Sequence, residues 1–108
     1  MTEISAQKLK ERLDSGEKLN LLDVREEWEY QEFNIGAKNI PLSIFMTNLE
    51  ELEDLKDEEV IVHCKMGART MQAAAVLEQA GFKNVVVFKG GMDEWIARFV
   101  NPPTQARQ

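Results

Sequence analysis

The sequence predicts an α/β domain, a mainly parallel sheet of about five short strands with helices on both faces. Short apolar or β-branched runs (LNLLDV, EVIVH, VVVF) alternate with helix-patterned segments, which is the order of βαβ units. These runs are nearly continuous in apolar residues, as strands covered on both faces are. A length of 108 residues, 44% of them apolar, is the size of one domain with a modest core.

Ser5 opens the first helix: it is a good N-cap residue, Leu9 and Leu13 are four apart, and Gly16 follows the end. Leu19 to Val24 is the first apolar strand. Glu26 to Phe33 begins with acids suited to a helix amino terminus and is expected to turn Trp28, Tyr30 and Phe33 to the core. Asn39-Ile40-Pro41 reads as a brief strand stopped by proline. Ser43 to Asp54 reads as a helix with Phe45, Leu49 and Leu52 on one stripe. Glu59 to His63 is the clearest strand. Thr70 to Ala80 is alanine-rich, with Ala73, Leu77 and Ala80 on one face, and Gly81 is placed to end it, with Phe82 packing back. Val85 to Phe88 is a buried strand, Gly90-Gly91 a turn, and Met92 to Val100 a last helix with Trp95, Ile96 and Phe99 inward. Asn101-Pro102-Pro103 breaks it, so residues 1–100 are expected to form the domain and 101–108 a flexible tail.

Charge and cysteine usage narrow the function. A net charge of -6 disfavours nucleic-acid binding, and no apolar stretch approaches a signal peptide or a membrane span. The single cysteine cannot pair within the chain and suits a reducing compartment, so a cytoplasmic location is expected. Residues 1–63 hold 7 Lys+Arg against 16 Asp+Glu, whereas 64–108 hold 6 against 3. Cys64 therefore opens the basic part of an acidic chain.

Ligands of parallel α/β sheets sit beyond the carboxyl ends of the strands, where Cys64 falls. The loop Cys64-Lys65-Met66-Gly67-Ala68-Arg69 joins strand EVIVH to a helix. Such a wrap turns successive backbone N–H groups toward one point, and the helix dipole adds positive charge there. A thiol at that point is stabilised as thiolate, its nucleophilic form. Gly67 permits the wrap, Arg69 returns a positive fork to the mouth, and Lys65 adds a mobile charge. The residue set Lys65, Met66, Gly67, Ala68 and Arg69 is thus read as an anion cradle beside the Cys64 nucleophile. A lone cysteine at a strand end is also a common small core residue. Gly67, Arg69 and the strand-to-helix switch favour the functional reading.

Other residues attract plainer readings. His63 and Cys64 are adjacent on a strand and point to opposite faces, so no Cys–His pair is expected. Asp23 and Arg25 read as a scaffold ion pair. The acidic 50–59 segment reads as a solvated face, Trp28 and Trp95 as core or edge aromatics, and Met66 as a candidate rim residue. No Cys/His cluster has metal-ligand spacing, and no cofactor is implied.

At the Cys64 loop the sequence resembles the rhodanese family of sulfurtransferases. Its Cys-X4-Arg active loop corresponds to Cys64 to Arg69, continuing as Gly67-Ala68-Arg69-Thr70. Leu21-Leu22-Asp23-Val24-Arg25-Glu26 is similar to the family's first signature, Glu29-Tyr30 and Asn39-Ile40-Pro41-Leu42 to its next elements, and Gly90-Gly91-Met92-Asp93-Glu94-Trp95 to its closing motif. Asn34-Ile35-Gly36-Ala37 departs from the usual His-Ile-Pro-Gly-Ala, and Met92 replaces a frequent aromatic. The resemblance implies a rhodanese-like fold and a two-step sulfur transfer. Cys64 would take sulfane sulfur from thiosulfate or a persulfide, hold it as a persulfide, and pass it to a thiol, cyanide or a protein acceptor. Arg69 and Lys65 would bind the donor, with Asp23, Arg25 and Thr70 as structural support. Rhodanese-like folds also serve as protein-interaction or redox-sensing modules, which usually lose the cysteine. Related phosphatases and arsenate reductases place five residues between Cys and Arg, and here there are four.

Overall fold

The first strand escapes sequence reading because it has only two residues. In the computed structural model, which describes residues 1–101, Thr2–Glu3 forms β1 and pairs in parallel with Val86 and Val87. The remaining strands are β2 (Leu21–Asp23), β3 (Lys38–Asn39), β4 (Glu59–His63) and β5 (Asn84–Val87). Their order is β1-β5-β4-β2-β3 and every pairing is parallel. The expected tail lies largely outside the described residues.

Alternation along the central strands divides the core into two layers. Leu22, Val60, Val62, Val85 and Val87 face α3 (Ala68–Gln79), packing with Ala73, Ala74 and Leu77. Leu21, Ile61 and Val86 face the other way, toward α1 (Ala6–Asp14) and α4 (Gly91–Trp95), meeting Ala6, Leu9, Met92 and Trp95. A side-chain period of two thus puts helices on both faces, as expected. Ser5 caps α1, its Oγ accepting from the Lys8 N–H at 3.1 Å. Trp95 packs edge-on against Phe88 and Phe99. No helix among the described residues is long and apolar enough to cross a membrane.

Three expectations need correction. The helix over Ser43 to Asp54 is two 3-10 pieces, Leu42–Ile44 and Met46–Leu55. The Thr47 hydroxyl and the Asn48 amide both donate to the Ile44 carbonyl, at 3.0 and 2.8 Å, competing for an oxygen that a regular helix would use. Phe45 and Leu52 are nevertheless buried there. The last helix changes register, with a π-helical turn at Ile96–Val100 after α4. In α2 (Glu27–Glu32), Trp28 stays 63% exposed and the buried residue is Glu29. Six residues give too little length for an apolar stripe, and an ion pair decides which face turns inward.

Candidate active site

β4 ends at His63, and the chain passes through Cys64 to Gly67 into α3. Gly67 takes φ +117°, a left-handed conformation, and a Cβ there would lie 2.8 Å from the Lys89 carbonyl oxygen. Only glycine fits both demands. The resulting turn aims the Gly67 N–H at Cys64 Sγ, 3.0 Å away. The loop is also seated from outside. The Met92 N–H donates to the Cys64 carbonyl at 2.9 Å and the Asp93 N–H to that of Lys65 at 3.1 Å. Gly91, at φ +62°, makes this approach possible, since a Cβ there would come within 2.6 Å of the Cys64 oxygen and press on the Lys65 carbonyl. Reading Gly90-Gly91 as a plain turn misses this role.

Cys64 is 1% exposed. Burial pushes its thiol up, but the Thr70 hydroxyl and the backbone N–H groups of Gly67, Thr70 and Met66 outweigh it, leaving the thiol below its ordinary range. Thr70 Oγ1 is buried and has no other hydrogen-bond partner among the described residues, which leaves its proton available to the sulfur. An inert core thiol would show the opposite shift.

Arg69 and Lys65, read from the sequence as the cradle's positive charges, are each paired with a carboxylate. The Arg69 fork is held by Glu29, with bonds of 2.6 and 3.0 Å. This pairing lowers the Glu29 pKa and raises that of Arg69, and the Cys64 charge favours the same cation. Glu29 also accepts from the Glu26 N–H at 2.9 Å, closing a capping box at the start of α2. Lys65 Nζ bonds both Asp93 oxygens, at 3.1 and 2.9 Å. Ala68 opens α3 on the exposed side, and Met66 is 70% exposed. The Glu26-to-Glu29 spacing was the available signal for a cap, but nothing in it announced a partner 40 positions away.

Asp23 and Arg25 form the buried pair expected of scaffold residues. Arg25 Nη2 donates to Asp23 at 2.8 Å and to the Phe33 carbonyl at 2.6 Å, tying β2 to the end of α2. His63 is fully buried with both ring nitrogens unpartnered, and desolvation pushes its pKa down to about 4 against the pull of Asp23. It lies on the face opposite Cys64 and plays no part in activating it.

A cleft of about 210 Å³ runs beside the loop, between α2 and α4, with Trp28, Glu29, Glu32, Lys65 and Asp93 on its walls. An apolar cavity of about 200 Å³ lies at the amino ends of β2 and β4, at the other end of the sheet, and holds no nucleophile. Among the described residues no three His, Cys, Asp or Glu side chains gather as a metal site.

This parallel sheet, with a cysteine loop opening a helix at its carboxyl edge, is a rhodanese-like architecture. Residues 5–98 match the family model of the rhodanese-like domain, and the chain belongs to that family. YrkF of Bacillus subtilis, whose name carries the words sulfur carrier protein, is 37% identical over 97 residues, 89% of this chain and 51% of that one. The chain thus spans about half the length of that relative. A protein named sulfurtransferase from Allochromatium vinosum is 32% identical over 88% of both chains. The human single-domain sulfurtransferase TSTD1 superposes with a TM-score of 0.77 at 29% identity, covering 91% of this chain and 97% of that one. Such relatives support a sulfurtransferase role at the family level.

Proposed function

We propose that the chain moves sulfane sulfur from thiosulfate or a persulfide, through a persulfide on Cys64, to a thiol, cyanide or a protein acceptor. One observation carries this: a buried sulfur that accepts a backbone N–H at 3.0 Å and is more acidic than an ordinary thiol. In the first step the Cys64 thiolate attacks the outer donor sulfur, a bond to Sγ forms as the donor bond breaks, and the electron pair leaves with sulfite or a thiolate. The amides of the loop from Lys65 to Arg69 and the Thr70 hydroxyl then stabilise the terminal sulfur without a metal or a general base. An acceptor thiolate or cyanide takes that sulfur in the second step and restores the Cys64 thiolate. A ring closed after four intervening residues suits one sulfur atom better than a tetrahedral oxyanion. A reducing, cytoplasmic setting suits this thiol.

Intact mass after incubation with thiosulfate, or with small persulfides, tests the reading. A gain of one sulfur, absent in Cys64→Ser, is expected. No gain with any of these donors overturns it.

A further inference from the structure

We infer that Glu29 is a specificity-determining positioning residue. By occupying the Arg69 fork, it biases Cys64 toward a persulfide of low charge and away from the thiosulfate dianion. The inference rests on the sulfur-transfer reading above and narrows its donor.

Among the described residues, every cation near the loop is already engaged by oxygen. Arg69 gives two bonds to Glu29, Lys65 two to Asp93, and Arg25 is buried against Asp23. The cleft that flanks the loop adds a third carboxylate, Glu32, which has no cation of its own among the described ion pairs. A dianion that seeks Arg69 or Lys65 must compete with Glu29 for the guanidinium and with Asp93 for the ammonium, facing like charge. Glu29 is well suited to hold its position. It is 8% exposed, and the Glu26 N–H fixes its carboxylate in addition to Arg69.

The two donors also differ in what leaves. When the Cys64 thiolate attacks the terminal sulfur of R–S–SH, the new bond to Sγ forms as the donor S–S bond breaks. The electron pair departs on R–S⁻ and the proton stays on the transferred sulfur. The same attack on thiosulfate expels sulfite, which carries two negative charges out past the carboxylates. Paired cations therefore penalise thiosulfate on entry and do little to draw out its leaving group.

The test is the second-order rate of sulfur loading on Cys64, followed by intact mass, with thiosulfate and with cysteine persulfide. The readout is the ratio of the two rates. Glu29→Gln keeps an oxygen for the Glu26 N–H but releases Arg69, and is expected to raise the thiosulfate-to-persulfide ratio about tenfold, the worth of one charge-assisted hydrogen bond. Glu29→Asp should move the ratio back toward that of the unmodified protein. Asp93→Asn, at an exposed ion pair that folding does not need, should raise it by a smaller factor. A ratio that stays level or falls in Glu29→Gln overturns the inference, and if that variant does not fold, a Glu29→Asp ratio no higher than that of the unmodified protein does so. Loading by both donors with an unmoved ratio refutes this inference only, whereas no loading by either refutes the sulfur-transfer reading and this inference with it.

Discussion

Gly91→Ala should damage the Cys64 loop from outside it. Two costs add. An alanine at φ +62° bears a left-handed backbone, about 1–2 kcal/mol. Its Cβ would also lie 2.6 Å from the Cys64 oxygen and 2.7 Å from the Lys65 carbonyl carbon, both backbone atoms that cannot rotate away. Relief requires α4 and the loop to part, weakening the bonds from the Met92 and Asp93 N–H groups, about 1 kcal/mol each. Together the loss is about 3–4 kcal/mol, a large share of the ~5–15 kcal/mol that holds a domain together. Urea unfolding followed by the fluorescence of buried Trp95 reads it as a midpoint lowered by about 2 M. Gly16→Ala is the control, because Gly16 has a similar φ of +83° and a Cβ added there would meet nothing within 4 Å, so only the backbone cost applies. Alkylation of Cys64 near neutral pH should slow in Gly91→Ala and not in Gly16→Ala. Equal midpoints and equal alkylation rates in the two variants would refute the claim that Gly91 seats the loop.

Other outcomes follow from single side chains. Thr70→Val removes the hydroxyl beside the sulfur at nearly constant volume, so the pH profile of Cys64 alkylation should move to higher pH. An unmoved profile would leave the amides as the whole cause. His63 has a folded pKa of about 4, below its unfolded 6.5, so the unfolded chain binds the extra proton between those values. Its contribution is therefore complete above pH 6.5 and is lost as pH falls toward 4, about 3 kcal/mol in all. Chemical denaturation at several pH values should show a shallower loss in His63→Leu than in the unmodified protein. Trp28→Ala should leave the unfolding midpoint nearly unchanged, whereas Trp95→Ala should cost about 3–5 kcal/mol.

Much of this architecture is legible because local pattern and tertiary position agree. β4 is β-branched and buried throughout its apolar part, and the switch to α3 after Gly67 puts Cys64 at the sheet's carboxyl edge. Asp23 and Arg25, two residues apart, pair as the sequence suggests. What sequence reasoning misses depends on partners distant in the chain. Two residues of β1 carry no pattern, since they pair through backbone atoms alone. The Glu29 partner lies in α3, so one of the three acids of α2 looks like surface while being its buried residue. Thr47 and Asn48 divert a backbone oxygen and turn a helix-patterned stretch into 3-10 structure. Arg69 and Lys65 were legible as the charges of the loop, and their carboxylate partners were not.

The seating of the loop ties the chemistry of Cys64 to the folding of the chain's last third. The residue after strand β4 supplies the sulfur, but Lys89, Gly91, Met92 and Asp93 hold its surroundings in shape. A short helix with a π-helical continuation is the kind of unit that opens locally while the sheet stays intact. Were it to open, the Cys64 and Lys65 carbonyls would be released and the amides would drift from the sulfur. The thiol would then revert to an ordinary one, or to a less acidic one if it stayed dry. The acidity of Cys64 thus depends on α4 staying docked, and a partner that steadied this helix would favour the reactive form of a residue it never touches.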